Sequence, residues 1–192
     1  MILPQEFYFE DTTSVAQSLL GKVLNIRTDH GIQSARIIET EAYLGVEDPA
    51  CHTFGDRRTE RTRSMYLDGG HAYIYMIYGM YYCLNFVTRT HEHPEAVLIR
   101  AVQPLPALPD VKKKDIKTNG PGKLCKFYGI DRKEDGVKLW KKSSPLYVSE
   151  DAFKVSSKSI VSRPRIGVDY AGEAARWTLR FYLKDHPFIS KK

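Results

Sequence analysis

Two strand-forming runs, Lys22 to Thr28 and Gly31 to Leu44, meet at the turn Asp29-His30-Gly31, and the second run is long. Val23, Leu24, Ile26, Ile37 and Ile38 are strand formers bracketed by turn residues, so the spacing predicts an antiparallel pair. Strand alternation along the second run puts Glu39, Glu41 and Tyr43 on one face and Ile38, Thr40 and Ala42 on the other. Two carboxylates therefore share a side. From this stretch alone, the plainer account is an edge strand displaying charge to water.

A second pair of runs sharpens the question. Tyr73 to Tyr78 and Tyr81 to Thr88 face each other across Gly79, which predicts a hairpin, and Tyr73, Tyr75, Tyr78, Tyr81 and Tyr82 are five of the chain's 12 tyrosines. An apolar hairpin tip either packs into the core or wedges into a partner, and base stacks suit aromatic side chains. Elsewhere, Asp11 to Gly21 reads as a helix that Asp11, Thr12, Thr13 or Ser14 caps and Gly21 ends. Ala96 to Val102 is a further strand, and Gly120-Pro121-Gly122 opens a short helix through Phe127. Short strands are expected around Leu146-Tyr147-Val148 and from Leu179 to Leu183, with a helical turn at Gly172 to Ala175. The polar stretch from Gly45 to Gly70, with Arg57, Arg58, Arg61 and Arg63, is too rich in charge for core and too long for a tight turn, and such loops carry function or are mobile. The run Lys112 to Lys117 reads as a solvated loop, with a phosphate contact as the alternative. With no repeat and no shift in composition, one mixed domain over residues 1–192 is the economical expectation.

Composition narrows the function classes. Hydrophobic residues make up 42% and charged residues 27%, the balance of an ordinary globular chain rather than a disordered one. The longest apolar stretch, Ala72 to Leu84, is broken by Gly79 and falls short of the ~20 residues of a membrane-spanning helix. Lys and Arg number 29 against 23 acids, a net +6 that suits a partner carrying phosphates. Cys51, Cys83 and Cys125 are odd in number and widely spaced, and the N-terminal sequence lacks the pattern of a signal peptide, so a reducing, intracellular setting is expected. His52 beside Cys51, and His91 and His93 around Glu92, match no metal-ligand spacing. Glycine-rich phosphate loops and a G-x-S-x-G elbow are absent from the sequence. Two rivals stay open at this point: a metal-dependent nuclease using Glu39 and Glu41, and a nucleic-acid-binding module or damage sensor that does not cut.

Several motifs then fall in register. Arg36-Ile37-Ile38-Glu39-Thr40-Glu41-Ala42-Tyr43-Leu44-Gly45, the run from Tyr75 to Asn85, Val97-Leu98-Ile99-Arg100-Ala101, Gly120-Pro121-Gly122-Lys123-Leu124-Cys125 and Arg165-Ile166-Gly167-Val168 resemble the alkyladenine (3-methyladenine) DNA glycosylase family in its mammalian and bacterial form. The likeness covers nearly the whole chain. It implies a mixed α/β (α+β) domain with a curved, mostly antiparallel sheet, short flanking helices and a protruding hairpin that intercalates into DNA. It further implies a monofunctional enzyme of base-excision repair, with no metal or organic cofactor, that acts as a monomer on double-stranded DNA inside the cell. Carried over by position, Glu41 activates the attacking water, Arg100 helps hold water and carboxylate, and a main-chain carbonyl near Val168 is a third water ligand. Tyr43, His52 and Tyr75 wall the pocket for an extruded base, and Asn85 at its floor disfavours guanine. Tyr78 fills the gap left in the duplex, with Met80 and Tyr81 beside it. Arg57, Arg61 and Arg63 are expected to contact phosphates. The implied substrates are 3-methyladenine, 7-methylguanine, hypoxanthine and ethenoadenine.

Overall fold

A computed structural model describes residues 1–106 and 116–191; of the lysine-rich run, Lys112 to Asp115 therefore lie outside the described residues. The predicted first strand pair forms as β1 (Val23–Thr28) and β2 (Gly31–Tyr43), joined antiparallel from Val23 opposite Arg36 to Thr28 opposite Gly31. The aromatic runs form β3 (Ala72–Ile77) and β4 (Tyr81–Thr88), and β5 (Glu95–Leu105) extends past the predicted Val102. β6 (Leu146–Ser149), β7 (Ile160–Arg163) and β8 (Arg180–Leu183) complete an eight-stranded sheet. Its main path runs β3-β4-β5-β2-β1-β6, with β8 pairing to both β2 and β7, and every pairing is antiparallel. Among the described residues the two α-helices are α1 (Thr12–Ser18), capped by the Asp11 side chain accepting from Ser14 N at 3.0 Å, and α2 (Pro121–Tyr128). The architecture is α+β.

β2 is not an edge strand. From Ser34 to Tyr43 it lies against β5 on one side, and on the other it lies against β1 and then β8, with Glu41 opposite both Leu98 and Arg180. The edge-strand expectation fails because the partners of Glu39 and Glu41 come from residues far along the chain. Register shifts break the β2–β5 ladder here, leaving Ile38 on β2 and Arg100 on β5 without a direct opposite. Such bulges bend a sheet and re-aim a side chain. Ile37 and Ile38 both join the core, while Arg100 turns toward the carboxylates.

Around this centre the core is a cluster of aliphatic and aromatic side chains from α1, β1, β2, β4, β5, α2 and β8, including Leu19, Leu24, Phe86, Ile99, Leu124 and Phe181. α2 packs closely on β4. A Cβ on Gly122 would sit 2.9 Å from Cβ of Tyr81, so only glycine allows that approach. The segment expected to hold a helical turn at Gly172 to Ala175 is a kinked 3-10 stretch over Asp169–Arg176, broken at Gly172.

Candidate active site

Glu41 and Glu39 are each fully buried at the centre of the sheet. An ionised carboxylate taken out of water costs several kcal/mol unless donors replace its hydration. For Glu41 the donors are Ile166 N at 2.8 Å on Oε1, and Tyr43 Oη at 2.9 Å and Arg100 Nη1 at 3.2 Å on Oε2. Burial wins over these donors and raises the Glu41 carboxyl above its ordinary range; Arg100, Ile166 N–H and the Tyr43 hydroxyl pull it down, and Glu39 adds a little upward. That is the direction that strengthens a general base.

A cleft of about 330 Å³ opens beside the two glutamates; neither lines it, but the three donors to Glu41, Tyr43, Arg100 and Ile166, do. Tyr43, His52, Tyr75, Asn85, Arg100 and Val168 all line it, so residues picked from separate stretches of sequence meet at one place. The His52 ring stands edge-on to Tyr75 at 4.5 Å, and its Nδ1 lies 2.9 Å from Tyr73 Oη. Burial first, then Arg61 and Arg57, push His52 down to about 4, so it is a neutral imidazole at pH 7. Asn85 is buried in β4 and donates through Nδ2 to Tyr73 O at 3.0 Å, which fixes its amide at the cleft wall. Val168 is buried, and its carbonyl already accepts from Ala171 N at 2.9 Å, which leaves one lone pair for another donor.

The hairpin tip stands at the mouth. Met80 N donates to Ile77 O at 3.2 Å, closing a tight turn in which Tyr78 (φ 51) and Gly79 (φ 67) are both left-handed. Tyr78 therefore belongs to the turn and not to the end of the preceding strand. Glycine is at ease in that conformation, whereas a bulky aromatic there is an outlier. Tyr78 is 87% exposed and Met80 67%, while Tyr81 is half-buried against α2.

The arginines of the polar loop divide. Arg57, Arg58, Arg61 and Arg63 are all exposed, but Arg58 pairs with Asp56 and Glu92, and Arg63 with Glu60. Arg61 lies over the Tyr75 ring at 4.9 Å with Nη2 3.4 Å from His52 Nε2, at the cleft rather than away from it. Three residues at or around the site have no role in the expectations above: Arg165, Asp48 and Tyr170. Arg165 forms a buried two-pronged pair with Asp48, donates to Ala42 O at 3.0 Å and lies 4.7 Å over the Tyr43 ring. It thereby ties the end of β2 to the segment whose Ile166 N–H holds Glu41. The Arg165-Ile166-Gly167-Val168 motif carried the signal for Arg165, but nothing marked Asp48 within the polar loop. Tyr170 lines the cleft, whereas Arg165 and Asp48 stand outside its lining. Among the described residues, no group of three or more His, Cys, Asp or Glu side chains could hold a metal ion, and no helix is long and apolar enough to cross a membrane.

Comparison with known proteins converges on one family. A family model described as methylpurine-DNA glycosylase matches residues 6–187. A Bdellovibrio bacteriovorus protein named "Putative 3-methyladenine DNA glycosylase" is 80% identical over 192 residues, covering 100% of both chains. Proteins of the same name from Clostridium perfringens (strain 13) and Bacillus cereus (strain G9842) are 42% and 44% identical over 207 residues, again covering 100% of both chains.

Proposed function

The chain belongs to the methylpurine-DNA glycosylase family, and from that premise we propose that it hydrolyses the N-glycosidic bond of damaged purines in duplex DNA with a water that Glu41 deprotonates. The protein is a DNA glycosylase of DNA repair. The observation that carries the mechanism is a fully buried carboxylate with both oxygens hydrogen-bonded, held by three residues of an aromatic-walled cleft, Tyr43, Arg100 and Ile166.

The steps follow from the chemistry. The scissile bond is out of reach in a stacked duplex, so the nucleotide swings out, at a few kcal/mol that is least for damaged or mispaired bases. Tyr78 fills the vacated space, and Tyr43, His52 and Tyr75 hold the base. Glu41 takes a proton from water, the water oxygen bonds to C1′, and the C1′–N bond breaks with its electron pair going to the base. The negative carboxylate faces the positive charge that develops on the sugar. For 3-methyladenine and 7-methylguanine the base is already cationic and leaves neutral; hypoxanthine and ethenoadenine need a proton as they leave. A neutral His52 is a hydrogen-bonding wall rather than the source of that proton.

The test is base release from single-lesion duplexes of each kind, with a chelator present and borohydride in a parallel reaction. Free base, an intact abasic strand and no protein–DNA adduct are expected. Loss of activity with chelator, or strand scission without heating, supports a metal-dependent nuclease instead; binding without release supports a damage sensor.

A further inference from the structure

Behind the cleft wall, Glu39 stands in an assembly that the hydrolysis does not itself use. Its Oε1 accepts from Arg180 Nη1 at 2.8 Å and from Ser190 Oγ at 2.9 Å, and its Oε2 accepts from Ser190 N at 2.6 Å. Arg100 Nε faces Glu39 Oε1 at 3.3 Å while Nη1 of the same guanidinium reaches Glu41, and Nη2 lies 3.4 Å from Ser190 Oγ. Arg180 Nη1 also donates to Lys191 O at 2.9 Å, and Ile189 is buried, so the C-terminal segment is anchored against Glu39. Two carboxylates and two guanidiniums thus balance in one buried unit.

We propose that Glu39, Arg180 and Ser190 are positioning residues for the hydrolysis, fixing Arg100 so that its guanidinium faces Glu41, and that the C-terminal segment is thereby part of the active site. This rests on the reading of Glu41 as the base. The physical reason is that Arg100 is shared. Whatever neutralises Glu39 from the far side frees Arg100 to serve Glu41, and whatever strips those donors draws Arg100 away. The charged and titratable groups facing Glu41 are Glu39 and Tyr43 from β2, Cys83 from β4, Arg100 from β5 and Arg165 from the segment before β8, with Arg180 of β8 acting through Glu39.

A merely structural role would change folding and leave the titration of Glu41 alone. The full-length wild type, Glu39→Gln, Arg180→Gln and Ser190→Ala are compared by single-turnover release of 7-methylguanine across pH, at matched folded concentration. Glu39→Gln removes a negative neighbour, so the acid limb moves to lower pH; the plateau falls about tenfold because Arg100 loses its second anchor. Arg180→Gln strips a cation from Glu39, so the limb moves to higher pH, and Ser190→Ala moves it the same way by less. Should Arg180→Gln fail to fold, Ser190→Ala carries the upward arm. Limbs that stay at the wild-type position, or move in one direction in all variants, overturn the assembly. A Glu41→Gln variant with the wild-type profile strikes the reading of Glu41 as the base, which keeps the two failures apart.

Discussion

Glu39 and Glu41 share a strand, a face and complete burial, yet the two ends of that short stretch are built differently. Around Glu39 the donors come from β8 and the C-terminal segment, and they close over both oxygens. Around Glu41 the donors Tyr43, Arg100 and Ile166 all belong to residues lining the cleft, and burial leaves its carboxyl raised. Residue type and strand face therefore do not separate the carboxylate proposed as the base from the one proposed to support it. What separates them is which distant segment arrives next to each.

The contrast breaks most sharply by substitution. Glu41→Gln keeps size and hydrogen bonding but loses the base, so excision is expected to fall about 10²–10⁴-fold while binding to an abasic-site analogue persists. Normal excision by Glu41→Gln together with the large loss in Glu39→Gln would exchange the two roles. Next in size is the hairpin tip. Tyr78→Ala is expected to slow excision most for well-paired lesions and least for lesions in weak mispairs, because a loosely stacked base needs less help to leave. An equal loss on both, read from single-turnover rates, would make Tyr78 a packing residue despite its exposure.

Much of this arrangement is legible in sequence, and the rest has physical reasons for being hidden. β1, β2 and β4 announce themselves through apolar and aromatic runs bracketed by turn residues, and Gly79 marks the tip. The central place of β2 is not legible, because β5 and β8 reach it from far along the chain. The bulges at Ile38 and Arg100 leave no mark in composition, and strict alternation would have put Ile37 beside the glutamates rather than in the core. β7, with Ile160-Val161-Ser162-Arg163, is too short and polar to stand out, and forms because β8 offers it a free edge. Asp48 and Ser190 read as loop and tail polars until folding buries the groups they bind.

Two smaller effects sharpen the picture of the cleft. On the proposal that the Asn85 amide, held by Tyr73 O, excludes guanine through its exocyclic amino group, Asn85→Ser should gain release of guanine opposite thymine. A variant that releases no more guanine than the wild type, at matched folded concentration, would leave Asn85 as a backbone tie. The smallest effect belongs to Arg57 and Arg61, which unlike Arg58 and Arg63 form no ion pair among the described residues. Neutralising both is expected to shallow the slope of log affinity against log salt by roughly 0.9 for each phosphate left unneutralised. An unchanged slope would leave the polar loop as merely solvated.

The central claim, that ionised Glu41 is the group that draws the proton from water, is tested most directly by the pH profile of single-turnover 7-methylguanine release. That leaving group is already cationic and needs no acid, so the profile reports the base alone. Burial raises the Glu41 carboxyl, so the rate should fall as pH drops through a limb above the ordinary carboxylate range. His52, neutral until about 4, adds no limb between pH 5 and 8. The expected result is one acid limb in the wild type and a low, flat residual rate in Glu41→Gln; a limb that survives in Glu41→Gln contradicts the assignment.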